Sequence, residues 1–169
     1  MSQTFEHVLT VRFSEVDCAG VVYFQRAFDY AHRAIEELLE AAGCDIASNF
    51  ARGFGLPLVH AEAEYQRPML LGERLTVSVS VERMGTSSLK LRYVISGGPD
   101  DIRATVRLVH VAVTVADNDD AAAGTAAAAA TAPAGGRARP GAFRRIPLPQ
   151  IVRDGLQRLG LVDLAESAE

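Results

Sequence analysis

One stretch constrains this chain more than any other. Phe24, Ala27, Phe28, Ala31, Ile35, Leu38, Leu39 and Ala42 recur at the three-and-four spacing of a single helix face. Gln25, Arg26, Asp29, Arg33, Glu36, Glu37 and Glu40 occupy the opposite side, and Gly43 follows as a stop signal. After this helix of about five turns the period changes to two. Val59, Ala61, Ala63 and Tyr65 alternate with His60, Glu62, Glu64 and Gln66 up to Pro68. Leu75–Val81 and Leu89–Ile95 alternate in the same way, separated by Gly85, and Arg103–Val115 is the longest strand candidate, apolar on both faces from Val109. Glu6–Phe13 forms an earlier strand, Phe143–Pro147 a later one, and Pro149–Leu161 a weaker helix. Strands in series without intervening helices exclude a parallel doubly wound sheet. The pattern predicts an α+β fold, with an antiparallel β-sheet of five or more strands around one long helix.

The 169 residues suit a single domain with its own core. Seventeen basic against twenty-one acidic residues give a net charge of -4, so no basic footprint for nucleic acid exists. No apolar run is long enough to span a bilayer, and the first residues lack a signal-peptide pattern. Two cysteines, Cys18 and Cys44, make no metal cage, and no oxidising compartment is implied. A cytoplasmic location is expected. From 117 to 139 the composition breaks, and ten of the fourteen residues 121–134 are alanine. Without a bulky stripe to bury, this segment reads as a flexible surface insertion.

Ser14–Phe24 is the stretch that secondary structure alone does not explain. It places a carboxylate, Asp17, and a glycine, Gly20, just ahead of the helix stripe. Gly20 lets the backbone take unusual torsions and approach a ligand. The first N–H groups of a helix have no partners within it and lie at the positive end of its dipole. A thioester carbonyl placed there meets donors for a developing oxyanion, with a carboxylate beside it. Equally, Asp17 can serve only as a cap or an Asx-turn. Spacing leaves both open.

The string Asp17-Cys18-Ala19-Gly20-Val21-Val22-Tyr23-Phe24 before the long helix resembles the hotdog-fold acyl-CoA thioesterases of the 4-hydroxybenzoyl-CoA thioesterase type. Leu56–Pro68, with Gly72-Glu73 after it, is similar to that family's strand after the helix, and both blocks resemble the branch acting on 1,4-dihydroxy-2-naphthoyl-CoA. The resemblance implies thioester hydrolysis without metal or cofactor. It makes Asp17 the catalytic carboxylate, Phe24 the donor of an oxyanion-binding backbone N–H, and Gly20 the loop glycine. Tyr23, Val59 and His60 become candidate substrate contacts. It also implies a homo-oligomer, dimer or tetramer, with active sites between subunits.

The turn Met84-Gly85-Thr86-Ser87 lacks the basic residues by which relatives often hold coenzyme A phosphates, so Lys90, Arg144 and Arg145 become the candidates. Cys18 has no base nearby in sequence and reads as a small hydrophobe. His32 lies on the polar helix side. Glu62 and Glu64 share one strand face and read as solvated or interfacial. Two other readings of the fold are weighed. A non-catalytic acyl-CoA or acyl-carrier-protein binding module would gain nothing from Asp17, and a dehydratase would need a histidine in Ser14–Phe24, which has none.

Overall fold

The computed structural model describes residues 3–115 and 143–162; the alanine-rich segment expected as an insertion lies outside the described residues. Chain order is β1 (Phe5–Thr10), α1 (Arg26–Ala41), α2 (Ile46–Ala51), β2 (Phe54–Gly55), β3 (Leu58–Tyr65), β4 (Arg74–Met84), β5 (Ser88–Ser96), β6 (Ile102–Val111), β7 (Val113–Thr114) and α3 (Gln150–Arg158). Five strands form one sheet in the order β1-β4-β5-β6-β3, and every pair is antiparallel. The α+β arrangement expected from the periodicity is the one observed.

Period-two alternation sets the register. Val77 faces Ile95 and Val79 faces Tyr93 across β4 and β5, while Leu91 faces Leu108 across β5 and β6. These side chains are buried on the sheet's inner face, against α1. The helix lays Ala27, Ala31 and Ala34 onto that face, and small residues allow a close approach between Tyr30, Ile35, Leu38 and Leu39. Phe24 does not belong to the buried stripe. It is 69% exposed, and Tyr30, fully buried, takes part instead. The outer face carries charge, with Glu82 paired to both Arg107 and Lys90.

Several elements differ from expectation for identifiable reasons, and the strand expected at Phe143–Pro147 is reduced to a single bridge from Arg145 to Val113. The first strand ends at Thr10, because Glu15 Oε2 accepts the Arg12 N–H at 2.8 Å and folds Phe13–Glu15 into a 3-10 turn. The expected long strand to Val115 breaks at Ala112. Its end, β7, pairs with β2, and Arg145 bridges Val113, so its apolar character on both faces reflects cover on both sides. Helix α2 was not anticipated, although Asp45 caps it by accepting the Ser48 N–H at 2.9 Å. Helix α3 crosses the end of α1 where Gly155 lies against Ala42, and a Cβ there would meet the Ala42 carbonyl. Leu148, Val152, Leu156 and Leu161 thereby join the main core.

Candidate active site

Residues 16–22 form a tight hairpin. Val16 pairs with Val22, the Asp17 N–H donates to Val21 O at 2.9 Å, and the Gly20 N–H donates to Asp17 O at 3.0 Å. Asp17 Oδ1 accepts the N–H groups of Ala19 (2.8 Å) and Val21 (3.2 Å). The Asx-turn reading and the catalytic reading therefore coexist: one carboxylate oxygen shapes the loop, and Oδ2 accepts no hydrogen bond among the described residues. Gly20 turns the hairpin at φ 74°, a left-handed conformation that favours glycine. A second segment clamps the loop, since the Val22 N–H donates to Met69 O (2.9 Å) and the Leu71 N–H to Gly20 O (3.1 Å).

Tyr23–Gln25 then turn into the helix. The Arg26 N–H bonds Tyr23 O at 2.9 Å and the Ala27 N–H bonds Phe24 O at 3.3 Å, so α1 begins at Arg26, two residues later than the stripe suggested. Among the described residues, the N–H groups of Phe24 and Gln25 donate no hydrogen bond. Phe24 O also accepts the Tyr65 hydroxyl at 2.6 Å, which ties the helix start to the far end of β3.

Sequence reasoning missed Glu15. Its carboxylate is 2% exposed and accepts from the Tyr30 hydroxyl (3.0 Å), the Arg12 N–H (2.8 Å) and Arg33 Nη2 (3.1 Å). Burial alone would raise its pKa, but these donors and the Arg33 charge together hold it below the ordinary carboxylate value. Burial and the Glu15 charge push the Tyr30 hydroxyl well up, so Tyr30 stays a donor. Glu15 O meanwhile accepts the Tyr23 N–H at 3.0 Å. One buried carboxylate thus fixes both legs of the hairpin to α1. The available signal was Tyr30 and Arg33, two donors three residues apart on the same helix.

The remaining candidates do not meet in one chain. Val59 is bulged out of β3, unpaired between Leu58 and His60 and 59% exposed. His60 is exposed and lies 3.5 Å from Glu62. Both stand at the opposite end of β3 from Tyr65, roughly 20 Å away at strand spacing, whereas Tyr23 and Phe24 lie at the Tyr65 end. Lys90 is held by Glu82 at 3.1 Å on the sheet's outer face. Arg145 reaches the Met84–Ser87 turn by donating to Ser87 Oγ, and Arg153, unanticipated, donates to Gly85 O at 2.7 Å and Thr86 O at 3.1 Å. The chain's last segment therefore brings to that turn the guanidiniums that its own sequence lacks. Arg144 contributes backbone bonds to Thr114.

A cavity of about 330 Å³ opens at the Leu58 end of β3, walled by α1 (His32, Ile35, Leu39), α2 (Asn49, Phe50), Gly55–Pro57 and His110 of β6, with Val113, Val115 and Phe143 completing it. Among the described residues, no three His, Cys, Asp or Glu side chains are placed to hold a metal ion, and no helix is long and apolar enough to cross a membrane.

Residues 11–156 match the profile of the Thioesterase-like superfamily. A 1,4-dihydroxy-2-naphthoyl-CoA hydrolase of Nostoc punctiforme is 34% identical over 94 residues, 55% of this chain and 64% of that protein. One of Synechococcus elongatus is 36% identical over 103 residues, 60% of this chain and 75% of that protein. The crystal structure of a 1,4-dihydroxy-2-naphthoyl-CoA thioesterase from Synechocystis superposes with a TM-score of 0.70 at 24% identity, covering 91% of this chain and 96% of that one. At that identity the superposition speaks for the fold.

Proposed function

Because the chain belongs to the Thioesterase-like superfamily, we propose that it hydrolyses an aromatic acyl-CoA, 1,4-dihydroxy-2-naphthoyl-CoA or a close analogue, to the free acid and coenzyme A. It is a thioester hydrolase of the hotdog fold. The observation that carries the mechanism is the hairpin, which holds Asp17 by Oδ1 and leads directly into the helix start, with Asp17 Oδ2 and the N–H groups of Phe24 and Gln25 making no hydrogen bond among the described residues. The thioester oxygen sits at the Phe24 N–H, where the dipole of α1 favours the charge that develops on attack. Asp17 Oδ2 either attacks the carbonyl carbon, giving an anhydride that water opens, or takes a proton from the attacking water. A binding module of the same fold would have no use for that carboxylate.

The site is completed by a second copy of the chain. β3 is an edge strand, and Leu58, Val59 and Tyr65 are exposed on it. Antiparallel pairing of two β3 edges sets the Val59 end of one subunit beside the Phe24 end of the other. That pairing unites residues that one chain keeps apart, Tyr23 and Phe24 on one side, Val59, His60 and the cavity on the other. A dimer is the minimal unit, and a tetramer pairs such dimers. The coenzyme phosphates lie at the Met84–Ser87 turn, against Arg145 and Arg153, while Arg144 is bonded to Thr114 and Lys90 is committed to Glu82. A cytoplasmic location belongs to the same reading, supported by the unpaired Cys18 and Cys44.

A thiol-release assay across aromatic and aliphatic acyl-CoAs tests this, run beside sedimentation equilibrium. Aromatic thioesters are expected to turn over faster than long-chain ones, on an assembly of at least two subunits. Absence of turnover on every thioester would leave the binding module, and a monomer at micromolar concentration would remove the intersubunit site.

A further inference from the structure

Two polar side chains line the 330 Å³ cavity with one atom each left over. His110 is 3% exposed, and its Nδ1 lies 2.9 Å from Leu56 O. A carbonyl only accepts, so Nδ1 carries the proton and Nε2 is a bare acceptor. Burial lowers the pKa of this ring, which keeps it neutral and Nε2 an acceptor at neutral pH. Asn49 is likewise 3% exposed and donates from Nδ2 to Cys44 O at 2.8 Å, which fixes its amide orientation and leaves Oδ1 as an acceptor. Neither His110 Nε2 nor Asn49 Oδ1 has a partner among the described residues. Buried acceptors without donors are rare in folded proteins and call for an explanation.

The rest of the lining indicates what would satisfy them. Ile35, Leu39, Phe50 and Leu56 present carbon, and among the described residues no lining residue is a lysine or arginine. Among these walls an anion would meet two acceptors and no lysine or arginine. A cavity of roughly 150 Å³ accepts benzene, so 330 Å³ takes a ring or two fused rings with substituents. A flat apolar body carrying hydroxyl donors fits both the walls and the orphan atoms. Resting on the thioesterase reading above, we propose that this cavity is the acyl pocket and that Asn49 Oδ1 and His110 Nε2 select hydroxylated aromatic acyl groups by accepting their phenolic O–H. In the paired dimer it opens toward Asp17 of the partner subunit.

Matched thioester pairs test the inference on the full-length enzyme: 4-hydroxybenzoyl- against benzoyl-CoA, and 1,4-dihydroxy-2-naphthoyl- against 2-naphthoyl-CoA. Ring hydroxyls alter the intrinsic reactivity of the thioester, so the readout is the kcat/KM ratio within each pair, compared between wild type and variants. Asn49→Leu and His110→Leu should each shrink the preference for the hydroxylated partner by about tenfold, the order of one hydrogen bond, the fall being larger for the hydroxylated than for the unsubstituted member of each pair. An unaltered ratio, or an equal fall for both partners, overturns the proposal. Should either variant fail to fold, wild-type protein labelled with ¹⁵N-histidine is titrated with 1-naphthol and with naphthalene. The Nε2 resonance of His110 should shift with naphthol only, and identical responses would overturn the assignment. If no thioester is hydrolysed at all but naphthol shifts Nε2, the catalytic reading has failed while the pocket stands.

Discussion

The Asp17 hairpin and the cavity behind Leu56 use their polar groups in opposite ways. In the hairpin, the N–H groups of Asp17, Ala19, Gly20, Val21 and Val22 all have acceptors within a few residues or on the adjoining Met69–Leu71 segment. The cavity is apolar, and its two buried side-chain polar groups each satisfy one end and leave the other without a partner among the described residues. A loop with its hydrogen bonds made holds a carboxylate in one place, which chemistry at a fixed carbonyl requires. A wall with idle acceptors has a preference among ligands, because only a ligand with donors relieves it. The comparison assigns reaction to one region and selection to the other.

The largest effect should come from Asp17→Asn. An asparagine Oδ1 still accepts from Ala19 and Val21, so the hairpin keeps its shape. What is lost is the charge and basicity at the other oxygen. We expect kcat to fall at least about a hundredfold, with KM within a few-fold, because the acyl and coenzyme contacts lie elsewhere. Near-normal kcat would break the division of labour and move the chemistry to another group. Single turnover of wild-type enzyme in ¹⁸O water distinguishes the two schemes: an anhydride opened at the enzyme carboxylate labels Asp17, and general-base catalysis does not.

The two regions also differ in how far the amino-acid sequence reveals them. Aspartate, glycine and helix start lie within ten consecutive residues, so the loop could be read directly, and its family resemblance agrees with the superfamily match. The sheet was equally readable, because period-two alternation encodes both strand and face. The cavity was not. Its walls come from α1, α2, the Gly55–Pro57 link, β6 and Phe143, and His110 sits in a strand where nothing local distinguishes a bare acceptor from a satisfied one. His32 read as solvated, and its side chain is indeed largely exposed, yet it borders the cavity mouth. Glu15 escaped for the same reason: its partners Tyr30 and Arg33 lie 15 and 18 residues on.

Glu15→Gln sharpens the comparison at the hairpin's root. The variant keeps one acceptor oxygen but removes the charge that Arg33 and Tyr30 address. A loss of about 2 kcal/mol at pH 7 is expected, the scale of hydrogen bonds to a buried charged group. The sign of the pH dependence follows from the lowered carboxyl pKa. A group whose folded value is depressed contributes stability above its unfolded pKa, about 4.3, and that contribution is lost as pH falls through the folded value. The gap between wild type and variant in urea midpoints should therefore be full at pH 7 and narrow steadily below about pH 4. Asp45, Glu82 and Asp101 also have lowered pKa values, and comparing the two proteins cancels their acid loss. A gap independent of pH would mean that Glu15 acts by shape alone.

Gly20→Ala should give the smallest change in stability and the most discriminating one in function. At φ 74° a Cβ is strained by about 1–2 kcal/mol, but a Cβ built there meets no atom within 4 Å, so no steric clash adds to the torsional cost. Asparagine adopts the left-handed region more readily than alanine, so Gly20→Asn should recover part of the lost stability. The open space beside Gly20 lies on the hairpin that presents Asp17. If the loop matters only as a scaffold, kcat/KM will follow stability and asparagine will outperform alanine. If substrate passes against the bare Cα, both variants will lose kcat/KM through KM, and asparagine, the bulkier, will lose more despite folding better. Opposite rank orders in unfolding and turnover would give the hairpin a share in recognition as well as chemistry, and the strict division between loop and cavity would no longer hold.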